Sequence, residues 1–341
     1  MLRDELVPSG ERIEVQDLTA KERQIVFERA STDPRYLRKL TSGVLRQANW
    51  QLLREPVRVH TLGYEKLNVS ASVVNPAGEE AHLMMHVYSS SFSEKRRSSV
   101  VSAMMRLEAE GIPIPHYRFR KEMVRAEPQR PSGPVLAAVV TDFCPGTDFT
   151  QRAPADGDIK EVFAILGRIH KINFPAGWVY DSWSPINLVA EAEKRLDKLD
   201  DETKKLVGPT VEKMKGFDQK SLTLGLIHGD LHRAHVLKEG EGKYCLIDWD
   251  LVTTAPLAID IGTALAHWCS TDRLTDLAFN SYREANSLSD KDANAALDLR
   301  NALFATFVMR ARAEQILNGD TSTQTQNWYE FGKRGLETIA A

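Results

Sequence analysis

The sequence predicts an α/β protein of the α+β kind, a small sheet with one helix followed by a long and mostly helical part. Three observations carry this. Runs of strand-like composition crowd into one region, at residues 57–62, 68–74, 82–88 and 135–141. Apolar residues at mixed three and four spacing dominate from residue 147 onward, which is the helical period. Within that helical part lie two short apolar runs, 224–227 and 244–247, and each delivers an aspartate at a turn: Asp230 just after the first and Asp248 directly after the second.

In chain order, residues 1–54 begin as a polar arm. They then read as helix at 21–30 and 36–53, with Asp33-Pro34 as the breaker between. This region is expected to be a helical N-terminal extension whose apolar face packs as core or meets a partner. Residues 55–141 form a second region, with a turn at Asn75-Pro76-Ala77-Gly78 and a helix at 94–111 that ends on Gly111 before Ile112-Pro113-Ile114-Pro115. Residues 142–341 form the third. Helices are expected there at 159–172, 188–207, 261–270, 273–285, 290–317 and 328–339, the second of them with Glu and Lys interleaved as on a solvated face. Val236-Leu237 can pair with 244–247 across the Gly240–Gly242 turn as a short hairpin, holding Asp230, His235 and Asp248 around one space.

Composition bounds the function. The 341 residues are 42% hydrophobic and 27% charged, ordinary for a globular chain that can bury a sizeable core. A formal net charge of −3 offers no electrostatic case for nucleic acid or an acidic membrane surface as partner. Cys144, Cys245 and Cys269 are few, odd in number and set among apolar residues, so they read as free buried thiols in a reducing compartment. The N-terminal stretch carries charges where a signal peptide needs an apolar core, and no run approaches a membrane span, so the expected location is cytoplasmic. Oligomeric state is not legible here.

The chemistry concentrates in 226–261. Apolar strands make a rigid floor, and carboxylates at their ends can converge on one cation. Taken alone, Asp230 is a turn residue after a strand, and His228, His232 and His235 around it would suit a zinc hydrolase. That rival leaves Asp248, Asp250 and Asp260 without a purpose. Taken together, His228-Gly229-Asp230-Leu231-His232, a polar residue five positions after Asp230, and Ile247-Asp248-Trp249-Asp250 resemble the catalytic core of the aminoglycoside phosphotransferase and choline kinase-like family, small-molecule relatives of the protein kinases. The resemblance implies a two-lobed kinase-like fold with a small N-terminal sheet lobe and a mostly helical C-terminal lobe. It implies transfer of the γ-phosphoryl group of ATP or GTP to a hydroxyl of a small molecule, with Mg²⁺ as cofactor. Asp230 would accept the hydroxyl proton, and His235 and Asp248 would hold Mg²⁺. Asp250 would help with a second ion or fix the loop, and Asp260 and His228 would brace it. The family usually has Asn where this chain has His235; macrolide phosphotransferases look similar in carrying His there, and a neutral imidazole can ligate a divalent ion.

The resemblance also places the nucleotide. Residues 55–141 would be the nucleotide-binding lobe, with Asp142-Phe143-Cys144 as the hinge whose backbone faces the base and His86 where these enzymes carry Lys or Arg for the phosphates. No Glu lies near Ser98 and Ser99 to form the usual ion pair, the turn from Gly63 to Asn68 has one glycine, and Lys66 is the cation that could substitute. His170 reads as a packing residue in the helix that buttresses the loop. Trp268, Phe304, Phe307, Arg310 and Arg312 are candidates for the acceptor pocket. Two other readings stand beside the small-molecule kinase: a kinase of peptide Ser or Thr in natural-product maturation, and a pseudokinase or binding module with a degenerate nucleotide lobe.

Overall fold

A computed structural model describes residues 13–14, 27–62, 66–88, 92–125, 135–177 and 179–340. Most of the helix expected at 21–30, and the turn of Gly63, lie outside the described residues. The chain separates into two compact units, one formed by 15–147 with 237–247 and the other by 148–236 with 248–341 and the first fourteen residues.

The first unit is built on a six-stranded antiparallel sheet. Its elements are α1 (Pro34–Leu45), β1 (Gln51–Leu52), β2 (Arg58–Leu62), β3 (Lys66–Val74), β4 (Glu80–Tyr88), α2 (Glu94–Ala109), β5 (Tyr117–Arg125) and β6 (Val135–Asp142). The order is β1-β3-β4-β6-β5, with β2 also paired to β3. Alternation decides which face is buried, because successive side chains in a strand point to opposite sides. Leu67, Val69, Ala71 and Val73 of β3, Leu83, Met85 and Val87 of β4, and Leu136, Ala138 and Val140 of β6 share one core with Tyr36, Leu37, Leu40, Val44 and Leu45 of α1. At about 1.5–3 kcal/mol per buried aliphatic side chain, this core binds α1 to the sheet. The helical stretch before residue 54 is therefore part of the lobe and not an appendage to it. Asp33-Pro34, read as a breaker, starts α1: Pro34 takes the first turn, and the Asp33 carboxylate accepts the N–H groups of Arg35 and Tyr36 at 3.0 and 3.1 Å.

The hairpin Val236–Lys238 with Tyr244–Leu246 forms as expected, and its residues from 237 onward belong to the first unit. Lys238 exchanges backbone hydrogen bonds with Thr147, the Leu246 N–H donates to the Pro113 carbonyl at 2.8 Å, and Cys144 is joined to Cys245 by a disulfide. The disulfide corrects the reading of three free thiols. Only Cys269 is free and buried, its thiol pushed up to about 12 by burial. The two partners stand 101 residues apart in sequence, so nothing local announces the bridge. It also removes the argument from thiols for a reducing compartment. Among the described residues no helix is long and apolar enough to cross a membrane.

The second unit is mainly helical: α3 (Asp156–His170), α4 (Leu188–Arg195), α5 (Asp201–Lys215), α6 (Leu257–Trp268), α7 (Asp272–Ala285), α8 (Asp290–Leu317) and α9 (Thr323–Ala340), around a ribbon of β7 (Leu224–Ile227) and β8 (Thr253–Pro256). The charged stretch 188–207 is two helices, because the chain breaks before Asp200, whose carboxylate accepts the Thr203 N–H and caps α5. Strand β8 was not anticipated; it pairs antiparallel to β7 with Thr253 opposite Ile227. That pairing fixes the distance between the turns after Ile227 and after Leu246. Helix α6 lies close enough to α8 that a Cβ on Gly262 would stand 2.7 Å from the Ala296 carbonyl oxygen, so glycine is required there.

A covalent link that closes a long loop stabilises mainly by restricting the unfolded chain. Reduction, or Cys144→Ser with Cys245→Ser, is expected to lower the stability of the first unit by about 2–4 kcal/mol. Denaturant unfolding with and without reductant measures it, and superimposable curves would show that the bridge contributes nothing.

Candidate active site

The site is organised by a buried carboxylate. Asp260, in the first turn of α6, has no exposed surface. It accepts the backbone N–H groups of His228 at 2.6 Å and Gly229 at 2.8 Å, and lies 3.3 Å from His170 Nε2. Burial alone would raise its pKa, but the hydrogen bonds and charges from His170 and His228 outweigh that and hold it below the ordinary carboxylate range. His170 is itself fixed, with Nδ1 2.9 Å from the Tyr282 hydroxyl of α7. Gly229 adopts φ 88°, and a Cβ there would meet the Leu251 carbonyl oxygen at 2.5 Å, so only glycine allows the loop to turn under the segment that follows Asp248.

From this anchor the loop presents Asp230. His228, fully buried, accepts the Asp230 N–H on Nδ1 at 3.2 Å and packs on Trp249 at 4.4 Å between ring centres. With 37% of its side-chain surface open, the Asp230 carboxylate can be reached by a small molecule, while the atoms packed round it withhold much of its hydration. That loss of hydration raises its pKa above the ordinary value; His232 and His228 oppose the shift, and the charges of Asp248 and Asp260 add to it. A raised pKa makes Asp230 a better proton acceptor.

His235 stands between the two aspartates. Its Nδ1 lies 2.8 Å from the Asp230 carbonyl oxygen and must donate to it, so in the neutral ring the lone pair is on Nε2. Nε2 faces Asp248 Oδ2 at 3.4 Å. In the neutral ring a lone pair and a carboxylate oxygen this close can share a cation, and two ligands held at about 2.1 Å on one octahedral ion would lie about 3 Å apart. The donor set therefore fits a divalent metal. Asp248 reaches this position from a left-handed backbone, φ 66° and ψ 62°, rare for any residue but glycine and tolerated best by Asp and Asn. Asp250 is buried in the short turn Trp249–Leu251 that follows.

Among the described residues one group of ligand atoms lies within 4.8 Å of one another, those of Asp230, His232 and His235. The tautomer of His232 argues against a zinc site there. Its Nδ1 accepts the Ala234 N–H at 3.1 Å, so the neutral ring carries its proton on Nε2, which faces Asp230 Oδ2 at 3.6 Å as a donor and not a ligand. Burial depresses the His232 pKa to about 4, so it stays neutral near pH 7. The sequence placed His232 only in the rival zinc cluster. His267 carries no motif and was missed; it comes within 5.5 Å of the His232 ring and is also buried far below its ordinary pKa.

In the first unit, the face of the sheet opposite the core carries Lys66 and Asn68 of β3 against Tyr88 and His86 of β4. The His86 Nδ1 donates to Asn68 Oδ1 at 2.7 Å, while Lys66, 5% exposed, sets its ammonium 6.0 Å from the centre of the Tyr88 ring. Around Ser98, where the sequence offers no acid, α2 buries Arg96 and Arg97, and Ser98 accepts from Arg120 at 2.6 Å. The Asp142 N–H donates to the His116 carbonyl and the Phe143 N–H to the His82 carbonyl, so two of the three N–H donors of the expected hinge are engaged within the unit. The Asp142 carboxylate is gripped by Arg118 at 2.6 and 2.8 Å, and Cys144 is in the disulfide.

Several acceptor-pocket candidates prove to be core. Trp268 is fully buried against Phe149, Phe304 is buried, and Arg312 is paired with Asp200 at 2.6 Å. Arg310 is buried over the Trp183 ring at 4.4 Å, while Phe307 and Arg312 stay half-buried.

A model of a phosphotransferase enzyme family matches residues 79–297, well over half of the chain. A homoserine kinase of Methylobacillus flagellatus is 26% identical over 181 residues, which are 52% of this chain and 54% of that protein, so the chain spans about half the length of that curated relative. Among solved structures, an amicoumacin kinase in complex with AMP-PNP, Ca²⁺ and Ami superposes with a TM-score of 0.64 at 14% identity, covering 92% of this chain and 96% of that one. A choline/ethanolamine kinase family protein of Mesorhizobium loti gives 0.59 at 13%, covering 91% and 99%. A macrolide 2′-phosphotransferase of Brachybacterium faecium gives 0.54 at 13%, covering 86% and 96%.

Two outcomes are expected of the scaffold. Asp260→Ala strands two buried N–H groups and His170, and should cost about 2–4 kcal/mol of stability in denaturant unfolding; a loss below 0.5 kcal/mol, roughly that of a surface change, would mean the carboxylate is not the anchor. Asp248→Gly relieves the left-handed backbone and should raise stability by about 1 kcal/mol while abolishing divalent-ion binding in calorimetry.

Proposed function

Because the chain belongs to the phosphotransferase enzyme family, we propose that it transfers the γ-phosphoryl group of ATP or GTP to a hydroxyl of a small molecule, with Asp230 as the base. The observation that carries this is the position of His235 between the two aspartates, 2.8 Å from the Asp230 carbonyl oxygen and 3.4 Å from Asp248 Oδ2, beside a loop anchored by Asp260. Phosphoryl transfer asks little covalent chemistry of a protein; it asks for positioning and for neutralisation of charge.

Asp230 supplies the first. Its carboxylate orients the acceptor hydroxyl and takes its proton as the bond to phosphorus forms, helped by a pKa raised above that of a free aspartate. His235 and Asp248 would hold Mg²⁺, which when bound neutralises phosphate charge. The hydrogen bond from His235 Nδ1 to the Asp230 carbonyl keeps Nε2 turned toward Asp248, so the base and the metal ligands are positioned by one peptide group. Lys66 is the cation we assign to the nucleotide phosphates in place of His86, whose Nδ1 is held by Asn68. Asp230 exposed on an open loop favours catalysis over a binding module, and a nucleotide is the co-substrate this reading requires.

Asp230→Asn should lower phosphoryl transfer by two to four orders of magnitude, about the range of a positioned base, and leave nucleotide binding unchanged. The same variant has a thermal signature. Because the folded-state pKa of Asp230 is raised, the fold prefers the protonated form, and that stabilisation is complete below the ordinary Asp pKa and lost as pH rises through the raised value. Asn stays neutral, so its melting temperature should exceed that of the parent at pH 8 and converge on it near pH 3; a lower melting temperature at pH 8 would contradict the electrostatics described.

His235→Ala should weaken Mg²⁺-dependent nucleotide binding about tenfold or more by calorimetry, while His235→Asn, which offers an oxygen, should retain most of it. Equal binding by parent and His235→Ala would place the metal on carboxylates alone.

A further inference from the structure

The hairpin that ends before Asp248 is small. Its strands, Val236–Lys238 and Tyr244–Leu246, are three residues each, and a two-stranded ribbon is marginal in water by itself. Val236 and Leu246 are fully buried, the other strand residues are half-buried, and the turn from Glu239 to Lys243 is exposed. Backbone hydrogen bonds attach it to the rest of its unit at Lys238, which exchanges two with Thr147 at 3.0 and 3.2 Å, and at Leu246, which donates to Pro113. Gly146 lets the two backbones approach, since a Cβ there would stand 2.7 Å from the Lys238 carbonyl oxygen. Beside these bonds the Cys144–Cys245 bridge is the covalent attachment.

The two ends of the bridge are not equally held. Cys144 follows a segment fixed by its own bonds: Arg118 grips the Asp142 carboxylate, the Asp142 and Phe143 N–H groups donate within the sheet, and the Phe143 ring meets His82 edge-on at 4.6 Å. Cys245 lies in the small ribbon, three residues before Asp248. Cutting the bridge therefore frees the hairpin and leaves the segment before Cys144 in place.

Asp248 is sensitive to that release. Its φ of 66° and ψ of 62° are costly for a residue with a side chain, and such a conformation persists only where its surroundings over-determine it. Downstream it is fixed by Trp249, 2% exposed and packed on His228. Upstream it depends on Leu246 and Cys245. Loosening the upstream side lets the backbone relax, which takes the carboxylate out of its place opposite His235 Nε2.

We propose that Cys144 and Cys245 are positioning residues for Asp248, and that their bridge is a redox control on metal binding, which a dithiol reductant weakens and reoxidation restores. This rests on the reading of Asp248 as a metal ligand. Both cysteines are half-buried and within reach of a thiolate, whereas Cys269 is buried. One thiolate of the reductant attacks a bridge sulfur, forming a mixed disulfide and releasing the other cysteine as a thiolate; the second thiol of the reductant then attacks the mixed disulfide and releases the first cysteine. One S–S bond breaks and one forms in the reductant, and two electrons and two protons pass to Cys144 and Cys245.

The test uses Mn²⁺ alone, whose free ion is counted by electron paramagnetic resonance. The full chain is titrated oxidised, then after reduction with dithiothreitol and desalting under argon, at a temperature where circular dichroism shows both forms folded. Reduction should raise the Mn²⁺ Kd about tenfold or more, the usual effect of losing a ligand's support, and reoxidation should restore it. The double variant Cys144→Ser, Cys245→Ser keeps Cys269; it should bind like the reduced parent and ignore dithiothreitol. A Kd that is the same in both redox states, or a reduced protein with no folded range, would make the bridge a staple for stability and overturn the inference. Asp248→Ala separates the two readings. If it binds Mn²⁺ as the oxidised parent does, Asp248 is not a ligand and both readings fall; if it loses Mn²⁺ while reduction of the parent changes nothing, the metal site stands and the redox control fails.

Discussion

The site depends on Asp260. A carboxylate without solvent is costly unless its oxygens are satisfied, and here they are satisfied by two consecutive peptide N–H groups of the catalytic loop and by a histidine. The cost of leaving that charge unpaired is what holds His228 and Gly229 in place. Their position sets Asp230, and the Asp230 carbonyl in turn sets the tautomer of His235. A buried ion at the start of α6 thereby reaches, through three hydrogen bonds, the orientation of a nitrogen that faces Asp248.

The ribbon of β7 and β8 supplies the second constraint. Register with Thr253 opposite Ile227 brings the turn after one strand and the turn before the other to the same end. Gly229 and the left-handed Asp248 accommodate the resulting crowding, one by having no side chain and the other by a strained backbone. Both departures from ordinary geometry fall on or beside the residues proposed to carry the chemistry, where stability is commonly sacrificed for position.

The two units divide the work differently from the simple division along the chain. The first unit takes in α1 and the hairpin that ends just before Asp248, and secures that hairpin to the segment after β6 with a disulfide and a pair of backbone hydrogen bonds. The strand that leads to Asp248 is therefore braced within the sheet lobe, while Asp248 itself belongs to the helical unit.

What the sequence determined by itself was whatever is local or carried by fixed spacing. The strands β3, β4 and β6 declare themselves by their composition, α8 by its period, and the aspartates at 230, 248 and 260 by their intervals along the chain. The tertiary structure alone decided whatever depends on partners far apart in the chain. The Cys144–Cys245 bridge, the pairing of β8 with β7, the bond of His86 to Asn68 on the polar face of the sheet, and the run of rings from His267 through Phe331, Phe307 and Trp183 to Trp328 each join segments with no shared local signal. The tautomers of His232 and His235 belong to the same class. A ring nitrogen's role is set by the atom opposite it, and that atom is placed by the folded backbone.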